Sequence, residues 1–110
     1  MGMKATGHVV VLVMASGRDE ADKITAALLE RRQAACVNIV PSVISRFWWK
    51  GQIDSAEEAL LIIKTRQTAV ADLIKTVQIN HSNSVPEIIV LPITGGSEEY
   101  LNWISGEVPG

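Results

Sequence analysis

Residues 36–49 read C-V-N-I-V-P-S-V-I-S-R-F-W-W, and this stretch decides the fold. Its apolar side chains fall at alternate positions, which is typical of a long, half-buried β-strand. These positions are Val37, Ile39, Val43, Phe47 and Trp49. Pro41 interrupts the run and predicts a bulge or bend, because proline has no amide hydrogen for the ladder. A turn at Lys50-Gly51 follows, and the apolar run at 60–66 predicts an antiparallel return strand.

The segments on either side of this stretch predict two crossover helices and two further strands. Residues 8–15 form a β-branched run that is apolar on both faces, as in a central strand. Ser16 and Asp19 suggest a capping box that begins a helix running to Arg32, and apolar residues at i, i+3, i+4 and i+7 predict a second helix over 68–80. Residues 87–93 predict a fourth strand, and Ser97 opens a short final helix that runs through Ile104.

The resulting order, β-α-β-β-α-β-α, predicts an α+β fold of the ferredoxin-like βαββαβ class with a short C-terminal helix. We expect one domain over residues 1–110 with an ordered core from about 8 to 105, because domains of ~50 to ~200 residues hold a single core. Both helices should cover one sheet face and leave the other bare. With 47% hydrophobic residues and a mean hydropathy of +0.21, that bare face predicts a contact with another subunit.

Composition also excludes several classes of protein. A net charge of −2 and a 5% share of aromatic residues argue against a nucleic-acid surface. No charge-free stretch reaches the ~18 apolar residues that a membrane-spanning helix needs, so we expect no membrane partner. A single cysteine cannot form an internal disulfide, which predicts a cytoplasmic location.

Five residues have side chains of the type that bind metals: Cys36, His81, Glu87, His8 and Asp54. Their spacing matches no metal motif, so a site within one protomer would gather ligands from distant segments. A buried structural cysteine is the alternative for Cys36. For His81, which we expect near solvent after the second helix, the alternatives are a helix cap or a ligand oriented by Glu87.

The Trp48-Trp49 pair and Lys64 are further candidates. Successive strand residues point to opposite faces, so one indole should pack inward and the other outward, at an interface or in a pocket. Lys64 would be either a solvent group at a strand end or a partner for a carboxylate such as Glu87.

Five segments in this order and spacing resemble the CutA divalent-cation tolerance family. They are A-A-C-V-N-I-V-P-S-V (34–43), F-W-W-K-G-Q-I (47–53), L-L-I-I-K-T-R (60–66), V-P-E-I-I-V-L-P-I (85–93) and Y-L-N-W-I (100–104). The resemblance implies a homotrimer similar to PII-type signalling proteins, without an enzymatic reaction or a required cofactor, and a response to metal ions with weak binding of copper or another divalent cation.

Carried over by position, the resemblance implies metal ligands at His81, Cys36 and Glu87. It also implies an intersubunit cleft that includes Trp49, Lys64 and Trp103. The family loop H-P-Y-E-V-P-E reads H-S-N-S-V-P-E here, with Asn83 in the place of the tyrosine. Soft ligands found in copper-binding relatives are also missing, which should weaken copper binding. The alternative function is a sensor that binds an anionic metabolite in the cleft through Lys64 and Arg66.

Overall fold

The computed structural model describes residues 5–110 and confirms the predicted order of helices and strands. The elements are β1 (His8–Ala15), α1 (Arg18–Glu30), β2 (Cys36–Trp49), β3 (Gln52–Arg66), α2 (Val70–Asn80), β4 (Ile88–Pro92) and α3 (Glu98–Glu107). A single 3-10 turn, Gln67–Ala69, connects β3 to α2. None of the helices within residues 5–110 is long and apolar enough to cross a membrane.

The four strands form one antiparallel sheet in the order β2-β3-β1-β4, so the ferredoxin-like fold class is confirmed. Helices α1 and α2 cover one face. The core between that face and the helices consists of side chains with no solvent exposure, among them Val11, Ile24, Leu28, Ile63 and Leu73. This layer holds the ends of β1 and α2 in fixed positions, and His81 lies where these two ends meet.

The β2–β3 hairpin is longer than the apolar runs of the sequence predict, because β3 begins at Gln52 and not at Leu60. Its turn has positive φ at both central residues, 50° at Lys50 and 78° at Gly51, as in a two-residue type I′ turn. Ala59 pairs with Ala15, the last residue of β1. The hairpin beyond Ala59 therefore projects from the sheet as two strands without a third.

A β-bulge interrupts β2 between Val40 and Val43, which confirms the prediction made from Pro41. The bulge adds one residue to β2 but none to β3, so it reverses the alternation of β2. Before it, Val37 lies opposite Ile63 on the face covered by the helices; after it, Val43 lies opposite Glu58 on the other face. The expectation that all the odd positions of β2 share one face is therefore wrong.

The second sheet face is only partly open, which corrects the expectation of a bare face. Helix α3 lies across one end of it, where the His8 Nε2 is 2.8 Å from the Ser105 Oγ. The Arg66 guanidinium donates hydrogen bonds to the carbonyls of Ser105 and Val108, at 3.4 and 3.1 Å. Ile104, within α3, and Val108, its C-cap residue, are fully buried. Such packing supplies the apolar burial that a ten-residue helix needs to be stable.

Candidate functional site

His81 follows α2 directly, and its imidazole is held at both nitrogens. The side chain is only 1% exposed. Nδ1 accepts a hydrogen bond from the Asn83 amide at 3.0 Å, so the ring proton lies on Nε2, which donates to the Met14 carbonyl at 2.7 Å. The expectation that His81 lies near solvent is therefore wrong, because the loop folds back over the ring. The Nδ1 lone pair that a metal would use is already occupied.

The carboxylate beside His81 is Glu20, from the first turn of α1, and not Glu87. Its Oε1 lies 3.4 Å from the His81 Nε2 and accepts from the Ser16 amide at 3.0 Å. Its Oε2 accepts from the Ser82 amide at 2.9 Å. Burial raises the pKa of Glu20, but the hydrogen bonds from Ser16 and Ser82 outweigh it, so the pKa lies below its ordinary value.

The start of α1 differs from the capping box predicted at Ser16 and Asp19. The N-cap is Gly17, which has no side chain to accept a capping hydrogen bond. A capping box has a second hydrogen bond, in which a glutamate of the first turn accepts from a backbone amide at the start of the helix. Glu20 makes a bond of this kind, because it accepts from the amide of Ser16, the residue before the N-cap. Asp19 is the predicted partner of Ser16, but Glu20 takes that place.

Cys36 belongs to a second group on the sheet face opposite α1 and α2, which we name the Cys36 cluster: Cys36, Lys64, Tyr100 and Trp103. Cys36 lies opposite Lys64 across the β2–β3 ladder, with Sγ 3.9 Å from Nζ. Burial, followed by the nearby Cys36 thiol, raises the pKa of Tyr100. The Tyr100 and Trp103 rings pack at a centroid distance of 5.4 Å.

The three predicted metal ligands do not converge within one protomer. The His81 imidazole donates to the Met14 carbonyl, whereas Glu87 meets Met14 only through its backbone carbonyl, which accepts from the Met14 amide at 3.3 Å, and the residue is exposed. Cys36 pairs with Lys64 of β3, and Lys64 pairs in turn with Val10 of β1. Val10 lies four residues before Met14 along β1. That separation corresponds to about 13 Å along a strand. Within residues 5–110, no group of three or more His, Cys, Asp or Glu side chains is placed to hold a metal.

Trp48 and Trp49 lie near the tip of the hairpin, far along β2 from the Cys36 cluster. They point to opposite faces as predicted, but neither packs inward, because the tip extends beyond the helices: they are 73% and 59% exposed. Trp49 lines a cleft of about 780 Å³ between the hairpin and the loop that follows α2. Its lining residues are Phe47, Trp49, Asp54, Ser82, Asn83, Ser84 and Val85.

Lys64 and Arg66 differ in the polar partners that their charged groups have in the structure. The Lys64 Nζ lies 3.9 Å from the Cys36 Sγ, and no carboxylate within residues 5–110 lies within salt-bridge distance of it. Of the two alternatives for Lys64, the pairing with a carboxylate such as Glu87 is therefore not formed within residues 5–110. Arg66 instead binds the carbonyls at the end of α3, so its guanidinium has a structural partner.

Glu20 and Tyr100 are site residues that the sequence did not predict. A signal for Tyr100 was present, because Tyr100 and Trp103 are three residues apart on the last helix and so share a face. Glu20 gave no comparable signal, since its partners Ser82 and His81 come from a loop more than sixty residues away along the chain.

Comparison with known proteins agrees with this fold. Protein CutA, chloroplastic, of Arabidopsis thaliana is 45% identical over 101 residues, and the match covers 92% of this chain and 56% of that protein. The divalent-cation tolerance protein CutA of Archaeoglobus fulgidus is 41% identical over 101 residues, covering 92% of this chain and 98% of that protein. This chain thus spans about half the length of the plant protein and nearly all of the archaeal one.

Solved structures of CutA1 proteins have the same fold as this chain. The crystal structure of CutA1 from Oryza sativa superposes with a TM-score of 0.90 at 38% identity, covering 94% of this chain and 95% of that one. CutA1 from the psychrotrophic bacterium Shewanella sp. SIB1 superposes with a TM-score of 0.92 at 32% identity, covering 97% and 100%. The family model of the CutA1 divalent ion tolerance protein matches residues 9–107. This chain therefore belongs to the CutA1 divalent ion tolerance family.

Proposed function

We propose that this chain acts as a homotrimer in the response to divalent metal ions, that it catalyses no reaction, and that it binds a soft cation such as copper weakly. Family membership supports the connection with divalent cations. The free thiol of Cys36 is the observation that carries the proposal, because thiolate sulfur is a ligand that selects copper.

The projecting hairpin supports an assembly of several chains. One face of it carries Ile44, Trp48 and Ile53, which are 72%, 73% and 69% exposed. Trp48 lies directly opposite Ile53 across the ladder, so the two side chains form a continuous apolar surface. Covering each such side chain contributes about 1.5–3 kcal/mol. A second chain that lies on this face would provide that burial.

Light scattering tests the assembly and should give about three times the 11.9 kDa chain mass. The variant Trp48→Asp places a charge on the apolar hairpin face and should lower the measured mass. Ile79→Asp is the matched control, because Ile79 is 81% exposed but lies on α2, away from the hairpin. A wild-type monomer would contradict the trimer, and an equal loss of mass in both variants would contradict the role of the hairpin face.

The surroundings of Cys36 explain why cation binding should be weak. The Lys64 ammonium lies 3.9 Å from the sulfur and repels a positive ion that approaches it. Binding through His81 would require the ring to release the Asn83 amide. We therefore propose Cys36 as the main ligand, with His81 or Glu87 completing the site from within the assembly.

Competition with a chromophoric chelator for Cu(I), under anaerobic conditions, tests this site. Cys36→Ser should remove most of the uptake, and His81→Ala should show whether the imidazole contributes. Glu57→Gln is a control, because Glu57 is an exposed hairpin carboxylate far along β3 from Lys64. If wild type and Cys36→Ser take up equal amounts of metal, the assignment is wrong.

An anionic metabolite is the second candidate ligand, and one observation favours it. Lys64 has no carboxylate within salt-bridge distance among residues 5–110, so its charge is available to an anion. A screen of nucleotides and carboxylates, measured as the melting temperature of wild type and Lys64→Met, tests this function. The absence of any stabilising anion would reject it.

We also propose a cytoplasmic location, supported by the single cysteine. The relatives differ in this respect: the Arabidopsis protein is named as chloroplastic, and the A. fulgidus structure is described as a periplasmic protein. Cell fractionation of the native organism, followed by immunoblotting, would decide the location.

A further inference from the structure

His8, the first residue of β1, lies beneath α3 and has one ring nitrogen without a partner. Its Nε2 is 2.8 Å from the Ser105 Oγ, whereas its Nδ1 is buried and has no hydrogen-bond partner within residues 5–110. Buried polar atoms nearly always have a partner, so an unpaired one requires an explanation. Because Nδ1 is already buried within a single chain, a neighbouring chain could not reach it unless α3 moved.

This arrangement suits the neutral form of the imidazole. A neutral ring has one donor nitrogen and one acceptor nitrogen, whereas an imidazolium donates from both. With Nε2 donating to Ser105, the Nδ1 of the neutral ring carries only a lone pair. A proton added there would become a buried, charged donor with no acceptor within residues 5–110, which is more costly to leave unpaired than a lone pair.

The charged groups that share this face with His8 are positive. Arg66 lies directly opposite His8 across the β1–β3 ladder, so the two side chains lie side by side. Lys64 is two residues along β3 from Arg66, on the same face. Neither cation has a carboxylate within salt-bridge distance among residues 5–110. The segments that hydrogen-bond to the His8 backbone contribute Thr6 and Ile93, which carry no charge.

The acidic groups of α3 do not offset these cations. Glu107 is the acidic residue closest in sequence to Ser105, and its Oε2 accepts from the Arg32 guanidinium at 3.1 Å. Glu98 and Glu99 lie in the first turn of the helix, at the opposite end from Ser105. An imidazolium at His8 would therefore meet repulsion from β3 without a free carboxylate to balance it.

Helix α3 is the element that can respond to this charge. Its polar contacts with the sheet are the one between His8 and Ser105 and the two from Arg66 to the carbonyls of Ser105 and Val108. We propose that His8 is an acid-sensitive support of α3: when its imidazole takes up a proton, the end of the helix separates from the sheet. The helix also carries both aromatic rings of the Cys36 cluster, so that cluster would change with it.

Hydrogen–deuterium exchange of the whole protein between pH 7.5 and pH 5.5 tests this response. Histidine is the side chain whose charge changes between about pH 8 and pH 5. Acid also slows the intrinsic exchange of every amide, so the protection of α3 is measured relative to that of α1 in the same sample. We expect this ratio to fall about tenfold in wild type, as an unpaired buried donor predicts.

His8→Gln is the matched variant, because its amide can still meet Ser105 but takes up no proton in this range. The ratio should then stay constant with pH. His81, the other of the two histidines, remains in both proteins, so a difference between them is due to His8. In wild type, the NMR signals of the His8 ring should change over the same pH range as the exchange of α3.

The NMR comparison needs no variant, so it applies even if His8→Gln folds poorly. Three results would overturn the proposal: a wild-type ratio that does not change with pH, an equal fall in His8→Gln, or protonation of the His8 ring without faster exchange of α3.

Discussion

Replacing Glu20 by glutamine tests whether one carboxylate fastens the loop after α2 to the start of α1. The carboxylate accepts amide hydrogen bonds from Ser16 at 3.0 Å and from Ser82 at 2.9 Å, and its side chain is only 11% exposed. A hydrogen bond to a charged group contributes about 1.5–3 kcal/mol. Glutamine retains one acceptor oxygen but turns an NH₂ group toward the other amide. Glu20→Gln should therefore lower the free energy of unfolding by about 2 kcal/mol.

The pH dependence of this loss has a definite sign. The pKa of Glu20 in the folded chain lies below its ordinary value of 4.5. A carboxylate with a lowered pKa contributes its stability above the unfolded pKa and loses it as the pH falls through the folded pKa. The difference between wild type and Glu20→Gln should therefore be constant near neutral pH. It should shrink below about pH 4.5, where Glu20 of the unfolded chain takes up a proton, and continue to shrink until the folded carboxylate is protonated as well.

Urea unfolding at a fixed protein concentration, from pH 7 down to pH 3, measures this difference. Glu30→Gln is the control, because Glu30 is an exposed carboxylate at the other end of α1. That variant should match wild type at every pH. A Glu20→Gln difference that does not depend on pH, or one that grows in acid, would refute the role of the charged carboxylate.

Three further predictions concern the fold. Leu73→Ala removes a fully buried side chain of α2 and should cost about 2–5 kcal/mol in urea unfolding, whereas a cost near zero would contradict its place in the core. Gly51→Ala forces a side chain into a φ of 78° and should cost about 1–2 kcal/mol in the same assay. Arg66→Ala removes the donor to the carbonyls of Ser105 and Val108, so amide hydrogen exchange should become faster across α3 but not across α1.

The sequence predicts the fold well where local chemistry determines it. A proline in a β-branched run allows few structures other than a bulge, and the predicted turn at Lys50-Gly51 is a tight hairpin in the structure. The start of β3 could not be predicted in this way. Residues 52–58 are mostly polar and form a strand because β2 pairs with them, so their conformation depends on a partner that the local pattern does not reveal.

The candidate site was less predictable, because its contacts join distant segments. The nearest carboxylate to His81 in sequence is Glu87, but Glu20 is the one beside it in the fold. Spacing along the chain carries no information about such a pair. Cys36 and Lys64 illustrate the same limit: their contact depends on the register of the hairpin, and the bulge at Pro41 determines that register only beyond Val40.

The bulge also restricts which insertions and deletions the hairpin can accept. Because it shifts the alternation of β2 by one residue, removing Pro41 or Ser42 would exchange the positions of Trp48 and Trp49. Phe47 and Trp49 would then leave the cleft for the opposite face, and Trp48 would leave that face for the cleft, although every side chain would still be present. We therefore expect variants of this hairpin to lengthen or shorten only by two residues in each strand. A change of one residue would move the side chains of each face of the hairpin to the opposite face.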